Sequence, residues 1–317
     1  MAQTEMNTAR VLQIGPLSER FNNTLAERYP VTALWQQDEP LAFLREHGAG
    51  FGLLVSSARF GCSAEQLDCL PNLRAICSFG VGFDAYPLEL LRERGIAIST
   101  TPDVLNDCVA DLAMGLMIDT ARQTAAADRF VREGQWLAGG YPLTRKVSGK
   151  KLGIVGFGRI GQAIARRAEG FAMPVRYHKR HQDPHSAYTY EADLLALAHW
   201  ADFLVLACPG GAATRHLVNA EVLDALGPQG ILVNIARGSV VDQAALVAAL
   251  LGGRLGGAGL DVFADEPQVP QALFTLPNVV LLPHVGSGTV ETRLQMEELV
   301  FANLQAFTDK GELLTPL

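Results

Sequence analysis

Short apolar runs alternate with amphipathic stretches along almost the whole chain. In the first hundred residues, 11–14, 31–35, 52–56, 74–78 and 96–99 read as buried strands, and 18–28, 40–47, 64–70 and 87–94 as the polar or amphipathic helices between them. Strands separated by helical crossovers imply a parallel sheet. Thr100, Thr101, Pro102 and Asp103 then read as a helix start, with proline tolerated in the first turn. Leu105, Cys108, Val109, Leu112 and Leu116 recur at helical spacing, which predicts a helix from 104 to about 120. A second amphipathic segment covers 125–133, and a loop with Gly139, Gly140, Tyr141 and Pro142 covers 134–148. Strands at 151–155, 175–177, 203–207, 231–235, 257–260 and 279–281 again alternate with helices, and a last long helix spans 290–307. The fold class expected is therefore α/β, with two doubly wound parallel sheets of Rossmann or flavodoxin type.

Between the strand at 151–155 and the helix at 160–169 lie Gly156, Phe157, Gly158, Arg159, Ile160 and Gly161. Glycines at this spacing carry weight only on a strand-to-helix turn inside a βαβ unit, and that is where the pattern puts them. Gly156 would permit the tight turn, Gly158 would let the backbone approach a pyrophosphate, and Gly161 would let helix and strand pack closely. The helix N-terminus offers free N–H groups and partial positive charge to the phosphates. Dinucleotide binding is the expectation; an ordinary glycine turn is the bland alternative.

Composition narrows the classes. Apolar residues make up 49% of 317, enough for two domains that each bury a core. No apolar run approaches bilayer length, and residues 1–5 lack the basic-then-apolar order of a signal peptide. A formal net charge of −7 argues against nucleic acid or an anionic membrane as partner. Five cysteines (Cys62, Cys69, Cys77, Cys108, Cys208) form no C-x-x-C pair, which fits reduced thiols in a cytoplasmic protein. Cys208 reads as a small buried residue near the cofactor. The histidines and cysteines show no metal-ligand spacing.

Three ionisable residues each follow a strand of the second half. Arg237 follows 231–235, Glu266 follows 257–260 at a distance, and His284 follows 279–281 through Pro283. Ligands of open parallel sheets bind outside the carboxyl ends of strands, so these three can converge. Reducing a 2-oxo acid needs a cation for the carboxylate, a proton donor for the developing alkoxide and a hydride source. Arginine suits the first through its bidentate fork, and histidine the second, especially beside a carboxylate. Singly, Arg237 reads as a solvated turn residue, Glu266 as a loop closer before Pro267 and His284 as a hydrogen-bonded core residue. Their joint placement after the glycine turn is what singles them out.

Four segments, 153–161, 234–242, 259–267 and 282–287, resemble the D-isomer-specific 2-hydroxyacid dehydrogenase family in sequence and in order. The resemblance implies a substrate-binding domain from 1–100 plus 288–317, an inserted NAD(P)-binding Rossmann domain at 101–287, and an active site in the cleft. It implies that Arg237 binds the substrate carboxylate and carbonyl, that His284 is the acid/base and that Glu266 pairs with its imidazole. Asp261 and the Ala236 carbonyl would hold the nicotinamide carboxamide; Cys208, Pro209, Thr214, Ile235, His284 and Gly286 would also line the cofactor. Residues 78–84 match the family's substrate loop, whose Val81 and Gly82 N–H groups would bind the carboxylate. Without the family, Gly80 and Gly82 form a routine βα turn. The resemblance further implies a homodimer using part of 101–148.

Within the family, residues 101–107 and 132–136 are most similar to the glyoxylate/hydroxypyruvate and hydroxyphenylpyruvate reductase branch. The expected substrates are small 2-oxo acids, glyoxylate and hydroxypyruvate first, reduced to D-2-hydroxy acids. Hydroxyphenylpyruvate and sugar-derived 2-oxo acids stay open, as does a non-catalytic NAD(H)-sensing protein of the corepressor type. Leu53, Phe79, Phe83 and Trp136 could shape the substrate side-chain end. NAD-specific sites place an acid at the end of the second strand. Here His178 takes that position and Lys179 and Arg180 follow, which favours a 2′-phosphate. NADP(H) is the expected cofactor and NAD(H) the alternative, with Arg180 the stronger phosphate ligand.

Overall fold

The structure is a computed structural model and describes residues 10–317; the expectation drawn from residues 1–5 lies outside them. The chain forms two compact units, one comprising the chain up to Leu105 together with Val290–Leu317, the other Asn106–Thr289.

In the first unit five parallel strands run in the order β2-β1-β3-β4-β5. They are β1 (Arg10–Gln13), β2 (Val31–Ala33), β3 (Phe51–Ser57), β4 (Ala75–Phe79) and β5 (Ala97–Ser99). The near-continuous apolar run of β3 follows from burial on both faces, as expected for an inner parallel strand. Helix α1 (Glu19–Arg28) starts where Ser18 Oγ accepts the Phe21 N–H, and it buries Phe21 and Leu25. Helices α2 (Pro40–His47), α3 (Ala64–Asp68) and α4 (Leu88–Glu93) supply Leu44, Leu67 and Leu91 to a core with Leu12, Leu54 and Ile76. The returning helix, Val290–Lys310, packs on β4 and buries Met296, Val300, Leu304 and Phe307.

Two expectations need correction here. Strand β2 ends at Ala33 because Leu34–Gln36 turns into a 3₁₀ helix, carrying Leu34 into the core. Residues 100–103 do not begin a helix: Asp103 has φ +69°, and helix α5 (Asn106–Arg122) starts only after it. The first unit therefore runs to Leu105, past the expected limit of 100. Its crossover is held there by hydrogen bonds from Thr100 N–H to the Thr315 carbonyl and from Thr101 N–H to the Gly80 carbonyl.

In the second unit seven parallel strands run in the order β12-β11-β10-β9-β6-β7-β8. They are β6 (Leu152–Val155), β7 (Val175–His178), β8 (Thr189–Tyr190), β9 (Phe203–Leu206), β10 (Ile231–Asn234), β11 (Gly257–Leu260) and β12 (Val279–Leu281). The two-residue β8 is too short to show a pattern in sequence. Helices α6 (Thr124–Arg132), α7 (Arg159–Glu169), α8 (Leu194–Trp200), α9 (Ala220–Leu226) and α10 (Gln243–Leu251) complete it, and Val290–Lys310 of the first unit is α11. Helix α5 packs on β10, β11, β12 and α7. The strand order reverses between β6 and β9, which makes the carboxyl end of that pair the switch point where ligands of such sheets bind. Among the described residues no helix is long and apolar enough to cross a membrane.

Candidate active site

The glycine turn closes the carboxyl end of β6 at this switch point. Gly156 has φ +92°, and a Cβ there would lie 2.4 Å from the Cys208 backbone nitrogen at the end of β9. A Cβ on Gly161 would lie 2.3 Å from the Gly156 carbonyl oxygen. These two glycines are demanded by the protein's own packing. Gly158 differs, because a Cβ there would meet nothing within 4 Å. It is the N-cap of α7 and no side chain caps that helix, so the first-turn N–H groups border open space. A cradle of this kind fits a pyrophosphate. Phe157 serves it through its backbone only, since its ring is buried and stacked on Tyr177 with centroids 4.1 Å apart.

The remaining predicted cofactor positions lie along the same carboxyl edge. His178 ends β7, and its Nδ1 donates to the Glu191 carbonyl across 3.0 Å. Lys179 gives its carbonyl to the Tyr190 hydroxyl at 3.2 Å. The Lys179 and Arg180 side chains make no ion pair among the described residues, so their charge is available to a ligand. After β9, Thr214 Oγ donates to the Pro209 carbonyl at 2.7 Å and closes that loop. Burial pushes the Cys208 thiol up to about 11, so it is no thiolate nucleophile. From β7 to β11 the edge crosses four strand intervals, about 19 Å at roughly 4.8 Å each.

At the far end of this edge are Arg237, Glu266 and His284, carried by the loops after β10, β11 and β12. His284 Nδ1 lies 2.8 Å from Glu266 Oε2, and the Phe263 N–H donates to Glu266 Oε1 at 3.1 Å. Burial would raise the Glu266 carboxyl. The His284 hydrogen bond and charge, the Phe263 N–H and the Arg237 charge outweigh it, and Glu266 is held below the usual glutamate range. Arg237 Nη1 donates to the Ala236 carbonyl at 2.7 Å. Gly238 lets the two loops touch, for its Cβ would lie 1.9 Å from the Phe263 backbone.

His284 has φ +54°, a conformation that persists only where its surroundings impose it. Asp261 imposes it. Its carbonyl accepts the His284 N–H at 2.9 Å, and its two carboxylate oxygens accept the Val285 and Gly286 N–H groups at 2.7 and 2.8 Å. Burial pushes the Asp261 carboxyl up, against the pull of these N–H groups and of His284. The other hidden brace is Asn234, buried at the end of β10. It accepts the Ala236 N–H at 3.0 Å and donates to the Arg237 carbonyl at 2.9 Å. Neither bracing role had a signal in sequence spacing.

In the first unit, Val81 and Gly82 follow β4. Their N–H groups make no hydrogen bond among the described residues. Of the four residues considered for the substrate side chain, Leu53 and Phe79 are buried in this unit and Phe83 packs against its core, while Trp136 of the second unit is 67% exposed.

Comparison with known proteins agrees with this architecture. The profile of the D-isomer specific 2-hydroxyacid dehydrogenase NAD binding domain matches residues 114–286. The chain is 47% identical to hydroxyphenylpyruvate reductase of Plectranthus scutellarioides, over 98% of this chain and 100% of that one. It is also 47% identical to glyoxylate/hydroxypyruvate reductase A of Arabidopsis thaliana, with the same coverage. A solved structure of the NADPH-dependent glyoxylate/hydroxypyruvate reductase from Sinorhizobium meliloti, in complex with NADP and malonate, superposes with a TM-score of 0.90 at 40% identity, covering 98% of this chain and 97% of that one. With two all-parallel α/β units, a dinucleotide cradle and relatives of this closeness over nearly its full length, the chain belongs to the D-isomer-specific 2-hydroxyacid dehydrogenase family and is an oxidoreductase.

Proposed function

We propose that this protein reduces small 2-oxo acids, glyoxylate and hydroxypyruvate first, to D-2-hydroxy acids with NADPH. The observation that carries the reading is the 2.8 Å pair of His284 Nδ1 and Glu266 Oε2 beside the charge of Arg237, on the same sheet edge as the dinucleotide cradle. When bound, the reduced nicotinamide supplies a hydride to the carbonyl carbon. Arg237 draws the substrate carboxylate and carbonyl into its fork. As negative charge develops on the carbonyl oxygen, His284 Nε2 gives it a proton, and Glu266 stabilises the imidazolium that precedes that transfer. The Val81 and Gly82 N–H groups add donors to the substrate carboxylate. Asp261 and the Ala236 carbonyl would hold the nicotinamide carboxamide.

Lys179 and Arg180, which directly follow His178 at the position where an NAD-specific site would hold an acid, support NADPH over NADH. The names of the Plectranthus, Arabidopsis and Sinorhizobium relatives support a 2-oxo acid substrate, and the NADPH dependence in the Sinorhizobium name supports this cofactor. The test is a panel of 2-oxo acids with each nicotinamide, followed at the reduced nicotinamide absorbance band. Glyoxylate and hydroxypyruvate with NADPH should give the highest kcat/KM. Equal efficiency with NADH would remove the cofactor claim, and no turnover with any 2-oxo acid would remove the activity.

The protein acts as a homodimer in the cytoplasm on this reading. Val131, Trp136, Leu137 and Leu143 expose large apolar side chains within one short stretch of the second unit, and α6 buries none of its residues. A second copy is the occupant of that surface. Sedimentation at micromolar concentration should give twice the chain mass, and a monomer there would overturn it.

A further inference from the structure

We infer that Thr101 is a positioning residue for substrate binding, aiming the Val81 N–H at the 2-oxo acid carboxylate. The inference rests on the proposed carboxylate-binding role of Val81 and Gly82. Thr101 lies on the crossover after β5, 21 residues from Gly80, and is fully buried. It holds Gly80 from both sides. Thr101 Oγ1 accepts the Gly80 N–H at 3.1 Å, and the Thr101 N–H donates to the Gly80 carbonyl at 2.9 Å. One peptide earlier, the Phe79 carbonyl accepts the Ala58 N–H at 3.1 Å.

Planarity turns these anchors into aim. A trans peptide directs its carbonyl and the following N–H to opposite sides. Fixing the Gly80 carbonyl on Thr101 therefore points the Val81 N–H away from the crossover, where it has no partner among the described residues. Gly80 takes φ +125°, and a Cβ there would lie 2.9 Å from Ala58 Cβ, so only glycine fits this position. The crossover is itself clamped. Thr100 donates its N–H to the Thr315 carbonyl at 3.3 Å, and its own carbonyl accepts the Thr315 hydroxyl at 2.7 Å.

Thr101→Val keeps shape and backbone bond but leaves the buried Gly80 N–H without an acceptor, whereas Thr101→Ser keeps the acceptor. Thr101→Val should raise the KM for glyoxylate about five- to twentyfold, with kcat within about threefold and the KM for NADPH unchanged. Thr101→Ser should restore the glyoxylate KM. An unchanged glyoxylate KM in Thr101→Val, a parallel rise in both KM values, or failure of Thr101→Ser to recover would each overturn the proposal. Val81→Pro separates it from the reading beneath it. If removing that N–H leaves the glyoxylate KM unchanged, the carboxylate role of the loop is wrong; if Val81→Pro raises it and Thr101→Val does not, only the role of Thr101 is wrong. Amide exchange in the unmutated protein applies even if Thr101→Val fails to fold. The Gly80 amide should be protected without ligand and the Val81 amide only with glyoxylate-competitive oxalate, and a freely exchanging Gly80 amide would contradict the anchor.

Discussion

Two glycine turns close parallel strands in this protein, and they are built differently. The turn after β6 runs straight into an eleven-residue helix, so Gly156, Gly158 and Gly161 complete cradle and helix terminus within six residues. The turn after β4 runs into irregular chain before α4 begins at Leu88. Its shape comes from Ala58 and Thr101, each about twenty residues away in sequence. A turn whose glycines run straight into a helix announces itself in sequence, although Gly156 also packs on distant Cys208. One that runs into irregular chain looks like any other βα turn, and Gly80 to Gly82 gain meaning only through the family resemblance.

This contrast can be broken at several points. The largest effect is expected at Gly156. Gly156→Ala should destabilise the second unit by roughly 2–5 kcal/mol, through the positive φ and the clash with Cys208, and abolish NADPH binding. Gly158→Ala should lower the thermal midpoint far less, by the loss of a favourable N-cap residue alone, while weakening NADPH by roughly tenfold or more, because only a ligand needs that space. Calorimetry and NADPH titration separate the two; equal loss of stability would refute the distinction. Next comes Arg237→Ala, expected to lower kcat/KM for 2-oxo acids by roughly 10- to 150-fold with NADPH affinity intact. Unchanged efficiency would remove Arg237 from the substrate.

The smallest effect concerns acid. Glu266 is held below its ordinary value, so the stability it adds is complete above about pH 4.3 and is lost as pH falls through the lower, folded-state value. The difference in thermal midpoint between the protein and its Glu266→Gln variant should therefore be larger above about pH 4.3 and shrink as the pH falls further. A difference independent of pH would show that the carboxylate charge contributes nothing.

Much of the fold was legible because strand burial and helix periodicity are local. Apart from β8, the strands of both sheets fall within a few residues of the apolar runs, and the misplaced helix start at 100–103 traces to one residue, Asp103, whose left-handed backbone no propensity announces. The candidate site was legible as residue types after strands: Arg237, Glu266 and His284. What holds them was not. Asn234 reads as one more polar strand end, and Asp261 as an ordinary acid, until their hydrogen bonds fix the Arg237 and His284 loops. Such braces depend on where a neighbouring loop lies, and spacing along the chain carries no such information.

The central claim is that His284, held by Asp261 and paired with Glu266, supplies the proton for carbonyl reduction. Single-turnover oxidation of bound NADPH by glyoxylate, compared between the protein and His284→Ala, tests it most directly. The variant should bind NADPH as before and transfer hydride roughly 10²- to 10⁴-fold more slowly. A rate within a few-fold of the unmutated protein would contradict it.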